Sequence, residues 1–145
     1  MRITSQAFNN GEKIPDKYSK HGENRIPPLH LEDIPSRTRS LAVIVDDPDA
    51  PKGIFNHWLL FNMDPRIKEI KEDSVPVMAT QGRNDFGEVE YDGPEPPSGE
   101  HRYFFKAYAL DTVLPLGHGA QRPDLDREMT EHVIESATLM GKFAH

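Results

Sequence analysis

Tyr91-Asp92-Gly93-Pro94-Glu95-Pro96-Pro97-Ser98-Gly99-Glu100-His101-Arg102-Tyr103 is the most constrained stretch of the chain. Three prolines and two glycines in these thirteen residues exclude a helix and a central strand. Each proline fixes its own φ and biases the preceding residue toward extended backbone, so the loop is stiff without a core beneath it. A tight turn of this kind is also where a cis-proline is expected. The loop runs directly into Phe104-Phe105-Lys106-Ala107-Tyr108-Ala109-Leu110, which reads as a strand. Period two then places His101, Tyr103 and Phe105 on one face. Two readings follow: a proline-rich turn leading into an aromatic core strand, or one wall of a polar pocket built from an imidazole and a phenol.

Upstream, Ser40-Leu41-Ala42-Val43-Ile44-Val45 is a continuous apolar run, which predicts a strand buried on both faces. It stops at Asp46-Asp47-Pro48-Asp49-Ala50-Pro51. Asp46 and Asp49 read as turn formers. Asp47, emerging from a hydrophobic strand, is placed to hold another side chain. A further strand runs from about His57 to Met63, with His57, Leu59 and Phe61 expected on one face. His57 and His101 therefore each open an apolar strand beside a proline-rich loop, which points to a shared site. His21, His30 and His132 read as surface residues.

Around these strands the chain is loop-rich. Asn9-Asn10-Gly11, Ile14-Pro15 and Ile34-Pro35 punctuate extended segments over residues 1–38. Residues 67–73 form a charged connector, and residues 83–87 a tight polar loop. In the tail, Leu125, Met129, Val133, Ala137 and Met140 recur at helical spacing and predict one main helix over about 124–140. Asp124 or Asp126 would be its N-cap and Gly141 its C′ residue. The expected fold class is all-β with one main C-terminal helix, two packed sheets having strands 40–46, 57–63 and 102–110 at their centre. Residues 1–145 are expected to form a single domain.

A net charge of −7 argues against a nucleic-acid partner, which would require a basic face. No cysteine is present, so there is neither a disulfide nor a thiol nucleophile. Met1 to Gln6 carries no apolar targeting core, and the run Leu41 to Val45 is too short to cross a membrane. A cytoplasmic location is the expectation.

Asp47-Pro48-Asp49-Ala50-Pro51, His57 and the segment from Gly93-Pro94 through His101-Arg102-Tyr103 together closely resemble the phosphatidylethanolamine-binding, or Raf-kinase-inhibitor-like, proteins. The resemblance extends from Ile14-Pro15 and Gly22-Glu23-Asn24 through Asn84-Asp85-Phe86-Gly87 to Gly141, with a compact length similar to the bacterial and archaeal members. It implies an antiparallel β-sandwich with a small anion pocket at one end, lined by Asp47, His57, Pro97, His101 and Tyr103. One position departs from the pattern: Glu95 stands where the resemblance implies a small residue. Its carboxylate either points to solvent or adds negative charge at the pocket mouth. The resemblance further implies a small anion or phosphorylated head group as ligand, no cofactor, and a kinase or serine protease as a protein partner, with a homodimer open.

The residue types suit an anion, since phosphate oxygens are met by imidazole N–H groups, a phenol O–H and backbone amides. Asp47 would accept from an imidazole and hold its tautomer. The rival reading uses His57, His101 and Asp47 as a two-histidine, one-carboxylate metal site of a metal-dependent enzyme. A hydrolase built on Ser98 and His101 is a third reading, disfavoured because no nucleophile-elbow motif exists. The expectation is a binding protein and not an enzyme.

Overall fold

β3, Ser40–Asp47, is the axis of the larger sheet in a computed structural model that describes residues 1–145. It pairs antiparallel with β4, Phe55–Met63, on one side and with β7, Glu100–Leu110, on the other. β6, Thr80–Gln81, extends the sheet beyond β4, and β8, Val133–Ala144, extends it beyond β7. A smaller antiparallel sheet is formed by β1, Arg2–Thr4, β2, Leu29–Glu32, and β5, Glu69–Ile70. Ile70 is buried, so the charged connector of the sequence contributes a short strand to this sheet.

The unbroken apolar run of β3 is explained by two cores. Leu41, Val43 and Val45 pack between the sheets with Leu29, Leu31, Trp58 and Phe105. Ala42 and Ile44 face the other way, toward Leu59, Phe61 and the buried Leu125 and Met129 of helix α1, Arg122–Met129. Asp46, at the end of this run, is not a simple turn former. It is 1% exposed and accepts from Lys106 Nζ at 2.8 Å and Arg122 Nη1 at 3.0 Å, tying α1 to the sheet.

The tail corrects the expected helix at about 124–140. Only Arg122–Met129 is helical. The helix begins on a capping box in which Gln121 is the N-cap and Asp124 the reciprocal partner, so neither Asp124 nor Asp126 is itself the cap. The chain turns out of the helix at Glu131, whose φ is 71°, and continues as β8. Val133, Ala137 and Met140 fit a helical stripe, but Leu139, Gly141 and Phe143 are buried at period two. β8 pairs with β7 from Glu100↔Ala144 to Leu110↔Val133, and this ladder outweighs continuing the helix beyond Met129 on a half-polar surface.

Gly141 is therefore a strand residue opposite Tyr103, and not a helix cap. A Cβ there would lie 2.5 Å from Ile14 Cγ1 and 2.8 Å from Phe8 Cε2, both buried. Gly141→Ala is expected to lower stability by about 1–3 kcal/mol through overpacking, read as a lower urea midpoint at an unchanged slope.

Candidate functional site

The antiparallel order brings the C-terminal end of β3 beside the N-terminal ends of β4 and β7. Asp47, His57, His101 and Tyr103, far apart in sequence, consequently line one cavity of about 320 Å³, together with Pro96, Pro97 and Glu95. Pro94 is not part of the wall: it is buried, and its carbonyl accepts the Lys20 N–H at 3.0 Å. Every peptide bond is trans, so the expected cis-proline is absent. The loop is instead held by fixed proline φ and by Gly93, where any Cβ would overlap the Tyr18 carbonyl.

β7 behaves as its period predicts. His101, Tyr103 and Phe105 are buried on one side, while Arg102 is exposed on the other. His57 does not share a face with Leu59 and Phe61, as simple alternation would require. In the β3–β4 ladder Val45 faces Trp58 but Asp46 faces Asn56, so His57 is the extra residue of a bulge. The bulge re-aims its ring to the Tyr103 side, whereas Leu59 and Phe61 lie under α1.

Two aspartates of the strand-end cluster organise the wall. Asp47, 3% exposed, accepts from His101 Nδ1 at 2.6 Å and from the Asp49 N–H at 2.7 Å. Asp49 accepts from Arg102 through its backbone N–H and through Nε and Nη2, at 2.9, 2.9 and 2.8 Å. The Arg102 guanidinium holds the Asp49 carboxyl down at about 2. Burial, then the charges of Asp47 and Asp49, push the Tyr103 phenol upward, so it stays protonated and able to donate.

His57 donates from Nδ1 to the Asp92 carbonyl at 2.8 Å and is ringed by Phe55, Phe86 and Tyr103 at 5.1, 5.5 and 5.2 Å between centroids. Burial lowers its pKa, outweighing the Asp92 carbonyl and the Asp47 charge that act the other way. The two imidazoles are thus unlike: His101 has a carboxylate counterion, and His57 sits neutral among rings.

Lys52 also lines the cavity, from the loop between β3 and β4. No motif announces it, although a basic residue following Asp-Pro-Asp-Ala-Pro was the available signal. Glu95 is exposed at the mouth, and its backbone amide faces the Tyr103 hydroxyl. Ser98 is exposed and lies outside the wall, so no serine–histidine pair forms there. Asp47 is turned onto His101 Nδ1, and no three histidine or acidic side chains converge at metal-ligating geometry. The two-histidine, one-carboxylate metal centre of His57, His101 and Asp47 is accordingly not assembled. His30 and His132 are surface residues paired with Glu32 and Asp111, and His21 is exposed beside Phe143.

Fold and site together describe a β-sandwich with a small polar cavity at one sheet end, walled by a proline loop. The chain belongs to the phosphatidylethanolamine-binding protein family, whose sequence profile matches residues 4–144. A UPF0098 protein of Methanothermobacter thermautotrophicus is 44% identical over 148 residues, covering 99% of this chain and 98% of the relative. A UPF0098 protein of Chlamydia muridarum matches at 44% over 148 residues with the same coverages. The crystal structure of a phosphatidylethanolamine-binding protein homologue from Chlamydia trachomatis superposes with a TM-score of 0.95 at 41% identity, covering 99% of this chain and 97% of that one. E. coli YbcL, described as a new member of the mammalian family, superposes with a TM-score of 0.93 at 29% identity, covering 99% and 98%.

The buried, neutral His57 makes stability depend on pH. Its folded pKa is depressed, so the unfolded chain takes up a proton near about 6.5 that the folded chain resists. The contribution is present above that value and is lost as pH falls below it. Urea midpoints measured at pH 7.5 and pH 5 should therefore differ less in His57→Gln than in the parent chain, and an equal difference would show that His57 is not held neutral.

Proposed function

We propose that the cavity binds a small anion, phosphate or the phosphorylated head group of a larger molecule, and that the chain acts by binding and not by chemistry on its ligand. The observation that carries this reading is the pairing of His101 with Asp47 on a wall that also holds Lys52 and the Tyr103 hydroxyl. His101 has its carboxylate partner on Nδ1 and leaves Nε2 free, Lys52 supplies a mobile cation, and Tyr103 supplies a neutral donor. The cavity of about 320 Å³ is the volume of about ten waters, enough for a phosphate with a short substituent.

Glu95 opposes an anion from the mouth, and the total charge of −7 does so at long range, so the donors must act locally. The printed name of the family supports a ligand that carries a phosphoryl group. A regulatory action on a kinase or serine protease belongs to the same proposal and rests on the family resemblance.

Sulfate tests the reading because it stays dianionic while the imidazole titrates. Titration calorimetry should show sulfate binding more tightly at pH 6 than at pH 8, since a protonated imidazole donates and carries charge. His101→Gln, which keeps a donor but cannot gain charge, should flatten that dependence. Glu95→Ala should tighten binding at both pH values. Binding independent of pH and unchanged in His101→Gln would remove His101 from the site.

A further inference from the structure

His57 and His101 line the cavity with their Nδ1 atoms turned to different acceptors, a backbone carbonyl for His57 and a carboxylate for His101. The His57 Nδ1 lies 2.8 Å from the Asp92 carbonyl oxygen, and a carbonyl can only accept, so the hydrogen of the neutral ring is on Nδ1. Nε2 is then a bare lone pair. It has no partner within the protein, yet it is not among the enclosed unpaired polar atoms, which are Arg25 Nε and Thr38 Oγ1. Nε2 therefore opens onto the cavity, as an acceptor.

The group that imposes this state is Asp92, which does not itself line the cavity but stands behind His57. Its backbone grips His57 twice, accepting from Nδ1 at 2.8 Å and donating its N–H to the His57 carbonyl at 3.1 Å. Its side chain, 3% exposed, is gripped in turn: Oδ1 accepts from Asn24 Nδ2 at 2.9 Å and Oδ2 from Asn84 Nδ2 at 2.8 Å, with Lys20 Nζ 3.7 Å from Oδ1. Asn24 also accepts the Gly93 N–H at 2.7 Å, so the peptide linking Asp92 to Gly93 is held from both sides. A buried carboxylate near an anion cavity is electrostatically adverse, which makes its use geometric. The charged and titratable groups around His57 are Asp47, Asp92, His101 and Tyr103, with Lys20 behind Asp92 and Phe86 and with Lys52 and Glu95 also lining the cavity.

We propose that Asp92, clamped by Asn24 and Asn84, is a positioning residue that locks His57 as a hydrogen-bond acceptor, so that the cavity selects an anion carrying its own hydrogen, the monoanion of phosphate or of a phosphate monoester, over sulfate or a phosphodiester. The inference rests on the anion reading of the same cavity and names its ligand class. Lys52 and the Tyr103 hydroxyl meet the ionised oxygens, and His57 Nε2 accepts the P–O–H. Sulfate and a phosphodiester bring only lone pairs to that nitrogen and leave it unpaired. A phosphate monoester loses its second proton near about pH 6, so the donating species is well populated there.

Calorimetry at pH 6 and constant ionic strength with inorganic phosphate, methyl phosphate, dimethyl phosphate and sulfate separates hydrogen from charge, because dimethyl phosphate is a monoanion without a hydrogen. Inorganic phosphate against methyl phosphate separates a free ion from an esterified head group. The two hydrogen-bearing anions should bind about ten-fold or more tightly than the other two. Asp92→Asn should narrow this preference toward unity. In ¹⁵N spectra His57 should be protonated at Nδ1 with Nε2 bare, and Asp92→Asn should mix the tautomers, which a merely structural residue would not do. Sulfate or dimethyl phosphate binding as tightly as methyl phosphate in the parent chain, or a hydrogen on His57 Nε2, overturns the inference while leaving the anion reading intact. Binding of none of the four overturns the anion reading and the inference with it. The parent-chain measurements decide the matter even if Asp92→Asn does not fold.

Discussion

The antiparallel pairing of β3 with both β4 and β7 is the constraint on which the site depends. Where one strand ends, its two neighbours begin, so residues at the edges of three apolar runs collect at one end of the sheet. The ladder from Ser40↔Leu110 to Asp46↔Phe104 fixes the height of His101 against Asp47. A slip of two residues would move His101 by about 7 Å, out of reach of the carboxylate. β3 is itself pinned by packing on both faces, which makes such a slip expensive in buried area.

Onto this frame the chain adds aspartates, each with a separate task. Asp46 faces the helix side and binds Lys106 and Arg122. Asp47 faces the cavity and orients His101, while Asp49 folds back on Arg102 and closes the turn. Asp92 sits behind His57 and works through its backbone. Adjacent carboxylates of one loop point to opposite sides of the sheet, so a negatively charged segment presents little free carboxylate to the cavity. His57, His101 and Asp47 each have a contact already taken within the protein, which holds that part of the wall rigid.

Much of this was legible in the sequence because it is local. The apolar run Leu41–Val45 required two buried faces, the alternation through His101, Tyr103 and Phe105 assigned one face, and fixed proline φ made the 94–97 loop stiff whatever its surroundings. The resemblance then gathered Asp47, His57, Pro97, His101 and Tyr103 at one place, and the structure brings all five to one cavity.

Tertiary structure decided the rest. Residues 133–144 satisfy a helical stripe and a strand alternation about equally, and only the unpaired edge of β7 makes the strand win. The face of His57 follows from one extra residue in β4 opposite β3, a mismatch that exists only between two strands and cannot be counted along one. Lys52 joins the wall because a turn folds over it, and Asp92 sets the polarity of His57 through a carbonyl that every residue possesses. Periodicity and proline geometry are properties of consecutive residues, so the sequence determined them alone. Register, bulges and the direction of a backbone dipole arise from pairs of distant segments, and they had to wait for the fold.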